Sequence, residues 1–380
     1  MDHQGSILPI SHELKTSISL YKRPENLGFG SSIAPIMLMS KFTKGRWQEP
    51  QIQPYGPIPM APAAKVFHYG QQIFEGMKAF RRNDQDPFLF RPKENYDRFV
   101  RSARRMCMPE VPENLFMSSL KTLVHYLTPI IPQRENESLY LRPMMIATES
   151  GLSLKSSGDY LFLIIAAPSA EYFSSAKVRA LIEREDCRAS PGGTGAFKVG
   201  GNYGASIQSG VKANALGFQQ TLWLDARQQR YIEEFSGMNF FAVVNGELWT
   251  PELTDTILPG ITRDSIIKMA RHKGMIVREF PIDIDELLNL VSKNICREIF
   301  ACGTAAVVTP ISELGESTGT TYRLAESFGE VTQKLSETIR SIQQTGKCEQ
   351  FDWVMPIARD QGDGHLSASN EPQNSMIAAY

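Results

Sequence analysis

Near the middle of the chain, the stretch DYLFLIIAA from Asp159 to Ala167 is an uninterrupted apolar run rich in Leu and Ile. It has no polar face to offer water, so it predicts a strand buried on both sides, within a sheet that other layers cover. The polar stretch EYFSSAK, Glu171 to Lys177, follows, and short β-branched segments resume beyond it. The run therefore closes one domain, and the polar stretch connects it to another. At 380 residues the chain exceeds one ordinary core, which fits this division. We expect domains over residues 1–170 and 178–357, a connector over 171–177, and a mobile polar tail over 358–380.

Local patterns fill in both halves. In the first, PFLFRP predicts a strand, and helices follow over Lys93 to Met106 and Glu113 to Leu127. In the second, QTLWLDARQQRYIEE predicts a strand, a turn and a strand, and Asn245-Gly246 inside NFFAVVNGELWTP is a hairpin signal. Helices are expected over Asn202 to Leu216, Ile261 to His272 and Arg323 to Ile342. The last carries Leu324, Phe328, Val331, Leu335, Ile339 and Ile342 at helical spacing, a stripe that reads as core packing. Two α+β domains with a cleft between them result, and such junctions favour small-molecule sites.

Composition narrows the function. The 40 basic and 41 acidic residues nearly cancel, and no long block of one sign occurs. Neither nucleic acid nor an anionic membrane finds an electrostatic footprint here. The five cysteines, Cys107, Cys187, Cys296, Cys302 and Cys348, form no CxxC pair and no disulfide framework, which points to a reducing compartment. The histidines, among them His68, His125 and His272, make no HxxxH or Cys/His cluster, so no zinc site is expected. MDHQGSILPISHELK lacks an apolar or Arg-rich leader pattern, and no apolar run reaches membrane-spanning length. A cytoplasmic enzyme is the expectation.

The chemistry concentrates in PGGTGAFKVGGNYG, Pro191 to Gly204, where six glycines surround Lys198 and Tyr203. Glycines let a ligand approach the backbone closely. A partly desolvated lysine amine becomes a nucleophile toward carbonyls, as a Schiff base with an aldehyde cofactor requires. A flexible surface loop with a solvated lysine explains this stretch alone equally well.

Further segments decide between the two. FHYGQQIFEGMKAFR (Phe67 to Arg81), LFRPKENYDRF (Leu89 to Phe99) and GGNYG resemble the fold-type-IV pyridoxal-phosphate family, specifically the branched-chain aminotransferases. The likeness continues in order through LYLRP, EEFSGMNFF, ILPGITR and ACGTAAVVTP, covering residues from about 25 to 356. The resemblance implies an α+β chain with a smaller N-terminal α/β domain and a larger cofactor-binding domain whose sheet is barrel-like. It also implies a homodimer, with pyridoxal 5′-phosphate held between the domains. The implied reaction passes the amino group of an L-branched-chain or related aliphatic amino acid to 2-oxoglutarate, giving the 2-oxo acid and L-glutamate.

The resemblance also assigns residues. Lys198 would form the Schiff base and then shuttle the proton at the substrate Cα. Glu234 would bond the pyridine nitrogen, with Glu233 an adjacent rival, and Tyr203 would donate to the phenolic oxygen. Arg98, the backbone N–H groups of Ile261 and Thr262 at a helix start, and the Thr304 hydroxyl would hold the phosphate. Tyr69, Phe74, Tyr140, Arg142 and Ala305 would face the substrate, with Arg142 meeting the distal carboxylate of glutamate. Leu152 and Leu154 match a loop that reaches the other subunit's pocket, so dimerisation would complete the site.

Two departures stand out. Ala306 and Thr309 occupy positions where mammalian relatives carry a redox-sensitive CxxC, so thiol regulation is not expected there. In FGSSIAPIM, Phe29 to Met37, Ile33 stands where many relatives place a pocket aromatic, so the pocket is expected to gain room and to admit bulkier or non-standard aliphatic amino acids. D-amino-acid aminotransferases and aminodeoxychorismate lyases share the lysine and phosphate cup but lack the full set of early motifs. An idle cofactor-binding or partner-binding protein would have no need of Lys198, Glu234 and Arg98 together.

Overall fold

The structure, a computed structural model, describes residues 7–83, 85–170, 178–326 and 328–358. The expected connector over 171–177 and the tail beyond Ala358 lie outside the described residues.

The apolar run forms the strand Tyr160–Ser169. It pairs antiparallel with Ser138–Ala147 on one side and Ile36–Thr43 on the other, deep in a nine-stranded sheet. Helices Pro92–Arg105 and Glu113–Leu127 cover that sheet. Phe116, Leu120, Leu123 and Leu127 recur at helical spacing and bury one face of the second helix, against Phe99, Ala103 and Phe162. Pro92 suits the first helical turn, where its missing N–H would have no partner. The late strand Val354–Pro356 returns to this sheet and pairs with Phe88–Phe90.

The second half builds another nine-stranded sheet. Six of its strands close into a ring: Val178–Glu183, Gln220–Leu224, Ile232–Phe235, Met238–Val244, Cys296–Gly303 and Val307–Gly315, the last pairing back to the first. Alternation along Met238–Val244 sends Phe240, Ala242 and Val244 into one core cluster and Phe241 and Val243 into another. The second cluster meets the helices Ile261–His272 and Glu330–Thr345. Asn245 and Gly246 take φ of 50° and 79° and turn the chain tightly into Glu247–Thr250, as their hairpin signal requires.

Two expected helices differ from the observed ones. Residues 323–342 are not one helix: Thr321–Arg323 is a strand paired with Val307–Gly315, and the helix begins only at Glu330. The Glu298 carboxylate sets that start by accepting from Val331 N, Thr332 N and the Thr332 hydroxyl. Leu335, Ile339 and Ile342 remain buried, whereas Phe328 is exposed and Leu324 packs in the other cluster. Residues 202–216 likewise split into Gly200–Gly204 and Ile207–Ala215, with a break at Ala205 and Ser206.

The stretch holding Lys198 bridges the two halves. Ile73 and Val199 form a β-bridge, Phe74 N donates to Lys198 O at 3.1 Å, and Lys198 N donates to the Ser102 hydroxyl at 3.0 Å. The lysine backbone is thereby tied to a strand and a helix of the first half.

Candidate functional site

A cavity of about 350 Å³ lies at this junction, with Lys198, Tyr203, Glu234 and Arg98 among its walls. Lys198 Nζ donates to Tyr203 Oη at 2.8 Å and lies 4.7 Å from the centre of the Phe74 ring. Gly200 lets the chain pass here, since a Cβ would collide with the Gln72 side chain.

One end of the cavity suits an anion. Gly260 caps the helix Ile261–His272 without a side-chain bond, so the leading N–H groups, those of Ile261 and Thr262, are available to a ligand and aided by the helix dipole. A Cβ at Gly260 would strike Asn239 Oδ1. Thr304 and Arg98 also line the cavity. Arg98 is buried because Glu75 meets it twice, Nε to Oε1 at 2.6 Å and Nη2 to Oε2 at 2.8 Å, while Nη1 donates to Pro259 O at 3.2 Å. Burial pushes the Glu75 carboxyl up, but Arg98 outweighs it and holds the group below the usual carboxylate range.

Glu234 also lines the cavity. Its Oε1 meets Arg188 Nη2 at 2.8 Å, and its Oε2 accepts from Asn239 Nδ2 at 3.0 Å. Burial pushes this carboxyl up to about 7; Arg188 works against the shift and Glu233 adds to it. Strand alternation turns Glu233 away: it accepts from the Thr256 hydroxyl and does not line the cavity.

The remaining wall is aromatic. Arg142 lies 4.7 Å from the Phe74 ring centre and 5.3 Å from that of Tyr140, and its Nη2 donates to Tyr140 Oη at 3.0 Å. Its Nε is buried without a partner among the described residues. Ala305 lines the same side.

All the sequence-predicted residues but three therefore surround one cavity. Tyr69, Leu152 and Leu154 do not. Within one chain Tyr69 does not stand beside Phe74 and Tyr140; its hydroxyl donates instead to Leu152 O, and both leucines point to solvent, 67% and 85% exposed.

Phe29, Asn239 and Arg188 are among the wall residues that sequence reading missed. Phe29 lines the cavity and stacks edge-on against Tyr140 with centroids 4.8 Å apart, so it supplies the aromatic wall, while Ile33 lies outside. The expected gain of room at Ile33 is thereby withdrawn. Asn239 sits inside the EEFSGMN segment and was legible there as a neighbour of Glu234. Arg188 lies ten residues before Lys198 in a polar loop with no periodicity, and nothing in the sequence marks it.

A nucleophilic amine, a carboxylate and an anion cup around one cavity fit a phosphorylated pyridine aldehyde such as pyridoxal 5′-phosphate, with Tyr203 beside the amine. Residues 72–314 match the family model described as amino-transferase class IV. The chain is 42% identical to branched-chain-amino-acid transaminase 1 of Bacillus subtilis (strain 168) over 339 residues, which cover 88% of this chain and 95% of that protein. Among solved structures it resembles the branched-chain aminotransferase of Thermoproteus uzoniensis with norvaline, at TM-score 0.68 and 28% identity, over 84% of this chain and 100% of that one. It also resembles a second branched-chain amino acid aminotransferase, complexed with N-(5′-phosphopyridoxyl)-L-glutamate, at TM-score 0.69 and 25% identity, over 87% of this chain and 100% of that one. The chain belongs to the class IV aminotransferases and, within them, to the branched-chain amino acid aminotransferase family.

Proposed function

We propose that this chain uses pyridoxal 5′-phosphate to transfer the amino group of L-leucine, L-isoleucine or L-valine to 2-oxoglutarate, giving the 2-oxo acid and L-glutamate. The observation that carries this reading is Arg142 set among the rings of Phe29, Phe74 and Tyr140 beside Lys198. Aromatic walls bury an alkyl chain, and the guanidinium meets the distal carboxylate when glutamate takes its turn. The names of the relatives, and the glutamate adduct in the second of the two solved structures, support the same pair of substrates.

When bound, the cofactor supplies an electron-withdrawing ring that makes the substrate Cα–H acidic. The Lys198 amine is the group we assign to accept and return that proton, and Tyr203 Oη at 2.8 Å orients it. Glu234 is assigned to the ring nitrogen; Arg98, the N–H groups of Ile261 and Thr262, and the Thr304 hydroxyl are assigned to the phosphate.

We further propose a homodimer. Phe67, Tyr69, Leu152 and Leu154 are all exposed, with Tyr69 clasped to Leu152, and a second copy over these side chains would bury them and complete the substrate wall. Five unpaired cysteines suit a reducing compartment, and we place the reaction in the cytoplasm. No helix of the described residues is long and apolar enough to cross a membrane.

Half-reaction rates with L-leucine, L-isoleucine, L-valine, L-aspartate and several D-amino acids test the reading. The three aliphatic L-amino acids should react within about tenfold to a hundredfold of one another, since one methylene discriminates by only about 1–3 kcal/mol. Preference for aspartate or for any D-amino acid would contradict it.

A further inference from the structure

We propose that Arg188 is a positioning residue for Glu234, holding that carboxylate ionised and aimed at the cofactor's ring nitrogen. The inference rests on the cofactor reading above and extends it to a residue outside every motif of the chain.

The geometry is that of a fixed clamp. Arg188 and Glu234 side chains are 7% and 5% exposed, with Nη2 and Oε1 at 2.8 Å. The other carboxylate oxygen is held by Asn239 Nδ2, which also donates to Leu258 O at 2.9 Å. Glu234 cannot turn without giving up one of these partners. Arg188 in turn donates to Gly195 O, in the stretch that carries Lys198, and to Thr256 O, in the segment that runs into Gly260. Those two segments approach so closely that a Cβ at Gly195 would strike Thr256. One guanidinium thus joins the lysine loop, the approach to the anion cup and the carboxylate.

The charge is needed as well as the shape. Glu233 and Glu234 are adjacent and both buried, and burial alone favours their neutral acids. The charged groups acting on Glu234 are Arg188, Glu233 and Lys198, with the Cys302 thiol two strands away, across Met238–Val244; Asp225 and Asp255 act on Glu233. Even with Arg188 in place, burial pushes the Glu234 carboxyl up to about 7. Removing the cation tips the balance, so that the proton shared with the ring nitrogen passes to the carboxylate oxygen and the total proton count is unchanged. The ring then loses the positive charge that makes it an electron sink.

The test is nitrogen-15 NMR of the full-length holoenzyme, loaded with pyridoxal 5′-phosphate labelled at the ring nitrogen. Wild type should show a protonated ring nitrogen near neutral pH. Arg188→Gln should move the signal toward the unprotonated position and lower kcat about tenfold or more, the ratio that one pKa unit represents, with a smaller change in KM. An unshifted ring signal in folded Arg188→Gln would overturn the proposal. If Arg188→Gln does not fold, Arg188→Lys decides: every contact above comes from the single nitrogen Nη2, and lysine keeps the charge without setting its ammonium where Nη2 stands, so the signal should shift part of the way, and no shift overturns the proposal. A wild-type protein that takes up no cofactor would overturn the cofactor reading and this proposal with it, a failure seen before any variant is made.

Discussion

Glu75 and Arg98 form a buried pair held by two hydrogen bonds, 2.6 and 2.8 Å long, behind the anion end of the cavity. Asn95 Nδ2 also donates to Glu75, at 2.7 Å. Removing one partner strands the other, so Arg98→Ala should cost about 3–5 kcal/mol of folding stability as well as cofactor retention. The pH dependence has a definite sign. The Glu75 carboxyl is held below its ordinary value of 4.5 in the fold, so its contribution is full above that pH and fades as pH falls through the lower folded value. Urea unfolding should show a gap between wild type and Arg98→Ala that is wide at pH 7 and narrows in acid. A gap of equal width at both would count against the pair.

Tyr203→Phe removes the hydroxyl that accepts from Lys198 Nζ. Losing one charge-assisted hydrogen bond costs about 1.5–3 kcal/mol, so kcat/KM should fall roughly ten- to a hundredfold with the fold intact. Steady-state rates beside a melting curve check this, and an unchanged kcat/KM would remove Tyr203 from the proton-transfer step.

Gly260→Ala places a Cβ where Asn239 Oδ1 now lies. Asn239 must move, taking its bonds to Glu234 and Leu258 with it. Overpacking of this kind costs about 1–3 kcal/mol. We expect a lower Tm and faster cofactor loss on dialysis, whereas Gly246→Ala, far from the cavity, should lower Tm without touching cofactor retention. Equal retention in both variants would deny Gly260 its place.

Much of this was legible in the sequence because it is local. The strand Tyr160–Ser169, the turn at Asn245-Gly246 and the helix Glu113–Leu127 each follow from patterns a few residues long. The closure of six strands into a ring is not local; it depends on Val178–Glu183 meeting Val307–Gly315 across most of the second half. The start of the last helix differs from its pattern for the same reason, since Glu298 dictates it from another strand. In the site, the glycines around Lys198 and Tyr203 leave a solvated loop equally open, and only the run of motifs along the chain singles the two residues out. Arg188 sits in an aperiodic loop and becomes visible only when the fold brings it to Glu234. Phe29 and Ile33 stand four residues apart in one short segment, and only the contact with Tyr140 shows which of them reaches the cavity.

The exposed pair Leu152 and Leu154 should matter to assembly more than to folding. Leu154→Asp puts a charge where a second copy would cover the surface, so sedimentation velocity should show a dimer for wild type and, at the same concentration, a monomer for the variant. A variant that stays dimeric would send the interface elsewhere.

The central claim is that Lys198 carries the cofactor. Borohydride reduction of the holoenzyme followed by peptide mapping tests it most directly, because reduction fixes the cofactor covalently to whichever lysine holds it. The label should fall on the peptide containing Lys198, and on no peptide of Lys198→Ala. A label on Lys78, Lys212 or any other lysine of the wild-type protein would contradict the claim.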